Sequence, residues 1–123
     1  MKLRNGVIDL GFRVFDATRL HRAAAPFARG LGAILMFHRV RENAGGDFAP
    51  NRGLEITPSY LDAVLTHVRA AGFEIVTLDE AVARLSSSAN AQPYVALTFD
   101  DGTRDTAQVA LPILARHEAP FSV

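Results

Sequence analysis

Two neighbouring carboxylates, Asp100 and Asp101, follow the apolar run Tyr94-Val95-Ala96-Leu97-Thr98-Phe99 and precede Gly102. Adjacent carboxylates repel each other and lose hydration when buried. A bound cation or a shared proton relieves both costs. The pair therefore suits metal binding, general-base work, or both. An Asp-Asp-Gly can equally be a solvated turn in which one Asp caps the next helix. The apolar run favours the first reading, because it sends the pair to the end of a buried strand. Gly102 lets the backbone turn sharply behind it.

A second apolar run, Ala33-Ile34-Leu35-Met36-Phe37, delivers His38. His38 either lines the same pocket or is a packed, hydrogen-bonded residue. His67 falls beside the apolar stripe of a predicted helix and is expected at the surface. His21 and His117 fall near helix ends, where a cation complements the dipole. Ser86-Ser87-Ser88 has no His or Asp at useful spacing and reads as linker. The chain has no cysteine, which removes disulfides, thiolate metal sites and cysteine nucleophiles.

The elements that position these groups alternate. Residues 5–27 are predicted as an amphipathic helix, with Val7, Leu10, Val14 and Phe15 on one stripe. Pro26, Gly30 and Gly32 end it. Residues 33–37 form a strand expected to be buried on both faces. Arg41 to Gly53 reads as loop. Thr57 caps a helix that starts at Pro58 and carries Leu61, Val64, Leu65 and Val68 on one face, and Gly72 closes it. Phe73–Val76 is a second strand. Thr77 with Glu80 forms a capping box for a helix with Val82 and Leu85 inward. Residues 94–99 make a third strand. Asp105 to about His117 is a helix that Pro112 kinks or divides. Ala119–Val123 begins a fourth strand. Strands separated by helices give βαβ units and a parallel sheet, whose sites gather beyond the carboxyl ends of its strands. His38, Thr77 and the Asp100–Asp101 pair stand at such ends.

Composition bounds the partners. The 123 residues are 49% hydrophobic and 21% charged, an ordinary globular balance for roughly one small domain. Thirteen basic residues meet thirteen acidic ones, which excludes a strongly cationic nucleic-acid binder. Charge is nevertheless uneven: residues 1–41 hold eight basic against two acidic residues, net +6, and residues 42–123 hold five against eleven, net −6. The basic leading helix either packs on the following domain or lies on an anionic membrane surface. No apolar run approaches the ~20 residues of a membrane span. Charged residues interrupt every candidate signal-peptide core, so a cytoplasmic location is the expectation.

Thr98-Phe99-Asp100-Asp101-Gly102 resembles the first motif of the polysaccharide deacetylase family, which includes the nodulation-type chitooligosaccharide deacetylases. The flanks agree with it. Ile34-Leu35-Met36-Phe37-His38-Arg39-Val40 resembles that family's opening strand, and Leu54-Glu55-Ile56-Thr57-Pro58 its first crossover. Leu111-Pro112-Ile113-Leu114 with Ala119-Pro120-Phe121 resembles the helix and strand after the Asp motif. The resemblance implies an α/β fold: a distorted (β/α) barrel, incomplete here, with residues 33–123 as its N-terminal half and residues 1–32 as a helical extension. It implies removal of acetyl groups from N-acetylglucosamine-containing polysaccharide or chitooligosaccharide. Asp100 would be the general base, Asp101 a ligand to a divalent metal, normally zinc, and Gly102 would permit close backbone approach.

Thr103 and Thr106 depart from the pattern, which commonly has an aromatic or proline and an Asn there. The family's later His-(Ser/Thr)-x-x-His motif has no counterpart, since no two of the four histidines stand four apart. A barrel takes roughly 200 or more residues. The expectation is a fragment inactive as it stands. Two rivals stay open: a magnesium-dependent phosphoryl-transfer or receiver-like domain, which would need a further strand-end Asp and a nearby Lys, and a non-catalytic partner-binding fragment.

Overall fold

The computed structural model describes residues 8, 10, 11, 13–15, 17–19, 30–42, 50–86 and 92–123. The chain divides into two compact units, residues 1–30 and residues 31–123. In the first unit the described residues from 8 to 17 are helical. The Thr18 N–H and hydroxyl both donate to the Val14 carbonyl, and Arg19 takes a φ of 52°, which ends the helical geometry. The helix predicted to run on to Phe27 therefore breaks at Arg19. His21 and the rest of that prediction lie outside the described residues.

The second unit is α/β. In chain order it holds β1 (Gly32–Phe37), β2 (Arg39–Val40), a 3-10 turn (Arg52–Leu54), β3 (Glu55–Ile56), α1 (Pro58–Ala70), β4 (Glu74–Val76), α2 (Leu78–Ser86), β5 (Tyr94–Phe99), a π turn (Thr106–Ala110) and α3 (Leu111–Arg116). Strands β1, β5 and β4 form a parallel sheet in that order, with Leu35 opposite Leu97 and Ile75 opposite Val95. Strands β2 and β3 form a separate parallel pair that the sequence reading missed. Two residues per strand are too few to show a period.

Alternation sorts β5 onto two faces. Val95, Leu97 and Phe99 join Leu61 and Leu65 of α1, Ile113 and Leu114 of α3, and Val40 in the main core. Tyr94 and Ala96 point the other way, against Val76 and Ala81. The Tyr94 hydroxyl donates to the Ala81 carbonyl, so its polar end is satisfied inside. Gly32 leaves room for Tyr94: a Cβ there would stand 2.6 Å from its ring. Thus Gly32 belongs to the strand rather than to the end of the leading helix.

Both β4 and the chain end lie along one edge of β5. The Phe99 N–H donates to the Ser122 carbonyl, while the Asp100 N–H donates to Phe37 on the opposite edge. The predicted fourth strand is here a single bridge, Thr98 to Ser122. The chain thus steps one way from β4 to β5 and back the other way after β5. Right-handed crossovers in opposite directions place their helices on opposite faces, and α2 and α3 do lie on opposite faces. The described strands form an open sheet, with no closed barrel among them.

Three expectations need correction. Strand β1 is covered on one face only: Ile34 and Met36 are 59% and 60% exposed, because α2 reaches over β4 and β5 but not over them. In α2, Ala81 is the buried residue, whereas Val82 and Leu85 are exposed. Arg84 lies over the Tyr94 ring and pairs with Glu74 and Glu80, which turns the helix about its axis relative to the expected face. The capping box at α2 is half formed: Thr77 Oγ1 accepts from the Glu80 N–H, but the Glu80 carboxylate goes to Arg84. The cap at Thr57 forms as expected, accepting from the Tyr60 N–H at 3.1 Å. Gly72 closes α1 with a φ of 79°. The helix predicted to be kinked or divided at Pro112 changes type there: a π turn (Thr106–Ala110) gives way to α3, with Pro112 in the first turn of α3. The turn before it is wound as a π turn, an arrangement that accommodates the hydrogen bond proline cannot donate.

Asp105 fastens the two sheets together. Its carboxylate accepts from the Val40 N–H at 3.0 Å and from Arg39 Nε at 3.4 Å, and its side chain is 11% exposed. Burial pushes its pKa up, but hydrogen bonds from Thr103, its own backbone and Arg39 outweigh burial and hold it below the ordinary 3.8. A depressed carboxylate stabilises the fold above its unfolded pKa and loses that contribution as pH falls through the folded value. Asp105→Asn is therefore expected to lower unfolding free energy at pH 7 by about 1–3 kcal/mol. The gap from wild type should shrink as pH falls below about 4. Urea unfolding at several pH values measures it. The same assay should separate Leu65→Ala, at about 2–5 kcal/mol for a fully buried leucine, from Ile34→Ala, within about 0.5 kcal/mol for an exposed position.

Candidate active site

The apolar residues of β5 bury both faces of the strand, and hydrogen bonds hold both of its edges near the carboxyl end. The chain can leave this packing only past Phe99. Phe99 is 1% exposed and packs between the rings of Phe37, at 5.3 Å, and Phe121, at 5.6 Å edge-on. These contacts anchor the strand end immediately before the carboxylates. Asp100 is half-buried and still paired to β1 through its N–H, whereas the Asp101 side chain is 64% exposed.

Backbone geometry separates the two acids further. Asp101 has a φ of 70° and Gly102 one of 50°, so two successive residues occupy the left-handed region. Asp is among the few non-glycine residues that enter it readily. Gly102 is required there for the same reason, and the chain turns away from the sheet at once. The pair thus stands at the carboxyl end of the central strand, the rim at which parallel sheets carry their sites.

His38 leaves β1 at the same rim. Its Nδ1 lies 3.6 Å from Asp101 Oδ2, beyond hydrogen-bond range. Nδ1 is buried and has no hydrogen-bond partner among the described residues. The structure thus brings together His38, Asp101 and the turn at Gly102, with Asp100 adjacent. Thr103 and Thr106, which replace the expected aromatic and Asn, face each other with hydroxyls 3.3 Å apart. Thr77 ends β4 and is spent on capping α2. His67 is exposed, as expected. His117 caps α3 and its Nε2 meets Asp62 Oδ1 at 2.9 Å, tying α3 to α1.

Sequence reasoning missed one participant. The sequence places Asp105 only at the start of a helix, yet it clamps Arg39, the residue after His38, and so sets where β1 ends. The available signal was weak: an Asp three residues past a glycine turn and an Arg beside a strand-end His.

A zinc ion held catalytically takes three protein ligands and keeps one open position. Among the described residues no group of three or more His, Asp or Glu side chains could hold a metal ion together. The residues present therefore do not by themselves fit a complete zinc site.

No protein-family model and no curated protein matches the chain. Solved structures do. The chain is similar to IcaB from Ammonifex degensii, with a TM-score of 0.62 and 27% identity over 73% of this chain and 36% of that one. It is similar to the Streptococcus pyogenes deacetylase PplD, solved with acetate, with a TM-score of 0.59 and 29% identity over 72% of this chain and 39% of that one. A de-N-acetylase from Aggregatibacter actinomycetemcomitans shares the fold at 21% identity, with a TM-score of 0.59 over 73% of this chain and 36% of that one. The chain spans a little over a third of the length of these three structures. By these structural likenesses the chain is polysaccharide deacetylase-like.

Proposed function

We propose that this segment carries the carboxylate part of a metal-dependent N-deacetylase site acting on N-acetylglucosamine-containing polysaccharide or oligosaccharide. The observation that carries the reading is the placement of Asp100 and Asp101 at the carboxyl end of the central strand, with the imidazole of His38 beside Asp101. The likeness to a solved deacetylase supports the reaction type.

Amide hydrolysis needs a base for water, a positive centre for the carbonyl oxygen, and donors for the tetrahedral oxyanion. The chain's own residues supply the first and part of the second. Asp100, held half-buried by its backbone bond to Phe37, is the base that takes the proton from water. Asp101, directed outward by its left-handed backbone, would be one ligand for a divalent cation, zinc in this reading. The described residues supply no other group of ligands to complete such a site. His38 Nδ1, buried 3.6 Å from Asp101 Oδ2, is available to orient that carboxylate.

Acetate release from N-acetylglucosamine oligomers tests these roles. The 123-residue chain is expected to release none in the presence of zinc; robust zinc-dependent release would show that the chain completes a site by itself. In a longer protein carrying this segment with the remaining ligands, Asp100→Asn should lower turnover by about 10²- to 10⁴-fold. Bound metal, measured by atomic emission, should be unchanged, whereas Asp101→Asn should lose it. Metal lost on Asp100→Asn with turnover retained would overturn the assignment of base and ligand.

A further inference from the structure

The helix of the first unit carries an apolar face that the carboxylate site does not use. At about 100° per residue, Leu10, Val14, Gly11, Phe15 and Ile8 fall within an arc of about 160°, and Arg13 stands on the other side. Ile8, Leu10 and Val14 are 48%, 62% and 54% exposed. Gly11 lies near the middle of the arc, and a Cβ built there would meet nothing within 4 Å among the described residues. The face is thus open at its centre as well as at its borders.

Charge selects what can cover it. Residues 1–30 hold six basic residues, Lys2, Arg4, Arg13, Arg19, Arg22 and Arg29, against Asp9 and Asp16, net +4, whereas residues 31–123 hold seven against eleven, net −4. Attraction for an anionic surface is therefore concentrated in the segment that bears the open face. An arc this broad exceeds the narrow seam of a two-stranded coil, so a second copy fits it poorly. A dissolved anion or a nucleic acid would answer the charges but not the apolar arc. A bilayer with acidic lipids answers both: apolar side chains enter the boundary between headgroups and acyl chains, and basic side chains reach the phosphates. Among the described residues no helix is long and apolar enough to cross a membrane, so the seat is on the surface. We propose that the first unit binds an anionic lipid surface through the face bearing Ile8, Leu10 and Val14. The proposal concerns residues 1–30 and stands whether or not the Asp100–Asp101 pair is catalytic.

Flotation of the full 123-residue chain with lipid vesicles tests it, using phosphatidylcholine alone and phosphatidylcholine with about 30% phosphatidylglycerol. Binding to the mixed vesicles is expected, about tenfold or more above that to phosphatidylcholine, and weakening as salt rises from about 0.05 to about 0.5 M. Leu10→Glu and Val14→Glu should each weaken it by about tenfold or more, and Arg13→Gln by about fivefold. Gly11→Leu fills the centre of the face with a better helix former and should tighten binding by about tenfold, a gain that loss of folding does not explain. Ile34→Gln and Met36→Gln, at exposed apolar positions of β1, should leave binding unchanged. No binding to the mixed vesicles, equal binding to both kinds, no gain in Gly11→Leu, or weaker binding in the β1 variants would overturn the proposal. So would a fall in thermal stability of Val14→Glu without vesicles, or a dimer in buffer that Val14→Glu splits, since the face would then be covered within the chain or by a second copy. Failure of this test leaves the acetate-release experiment unaffected, since the two concern different residues.

Discussion

The arrangement depends on the burial of β5. Four of its first four residues are buried, Phe99 is buried, and its backbone is bonded toward β1 on one edge and toward β4 and Ser122 on the other. A strand held in this way cannot slip by one residue, because slippage would exchange Leu97 and Phe99 with Ala96 and Thr98 across the sheet. The position of Asp100 is therefore fixed by apolar packing rather than by any interaction of the acid itself. This separates the stability of the fold from the chemistry of the pair. Nothing in the core requires a carboxylate at the strand end, so the acids there are free to answer to function.

The second constraint is electrostatic and ties the rim together. Asp105 accepts from the backbone of β2 and from Arg39, so β2 is attached to the turn region that follows Asp101. His38 sits between β1, held by β5, and β2, held by Asp105. Both of its flanks are thereby determined, and its contact with Asp101 follows from two independent anchors. One buried carboxylate outside the recognised motif thus fixes the backbone that follows His38. Such a residue positions others without touching a substrate, which is why its chemistry alone does not reveal it.

Local patterns made most of the fold legible. The cap at Thr57, the φ of Gly72 and the unbroken apolar run of β5 are chemically specific over three to six residues, and each forms as read. Readings that needed tertiary knowledge fared worse. An apolar run such as Ala33–Phe37 shows that a strand is apolar, not how many of its faces are covered, and here α2 leaves Ile34 and Met36 open. The inward face of α2 was assigned from Val82 and Leu85, but Arg84, stacked on Tyr94 and bonded to Glu74 and Glu80, rotates the helix. Two-residue strands leave no periodic trace. The clamp at Asp105 joins positions 66 residues apart, and a single sequence carries no mark of such a pairing. Within the site, the Asp pair was legible because apolar strand, double acid and glycine coincide; the contact between His38 and Asp101 depended on the register of β1 against β5.

The two acids of the pair differ in a way that bears on their roles. A base must stay close to the reacting atoms and be partly shielded, because proton transfer depends on a fixed geometry and on an environment that favours it. A ligand must present its oxygens outward, toward the ion and toward partners from other segments. Asp100 follows the last strand residue with its N–H still bonded to Phe37 and is half-buried; Asp101 turns through the left-handed region and is largely exposed. Two adjacent residues of one type thus acquire opposite environments from a change in one backbone angle. The exposure of Asp101 keeps the repulsion between the two carboxylates small, since water screens it. The same exposure leaves that carboxylate accessible to a cation. A division between one shielded and one outward acid is what a base beside a metal ligand requires, and it arises here from the turn at Asp101 and Gly102 alone.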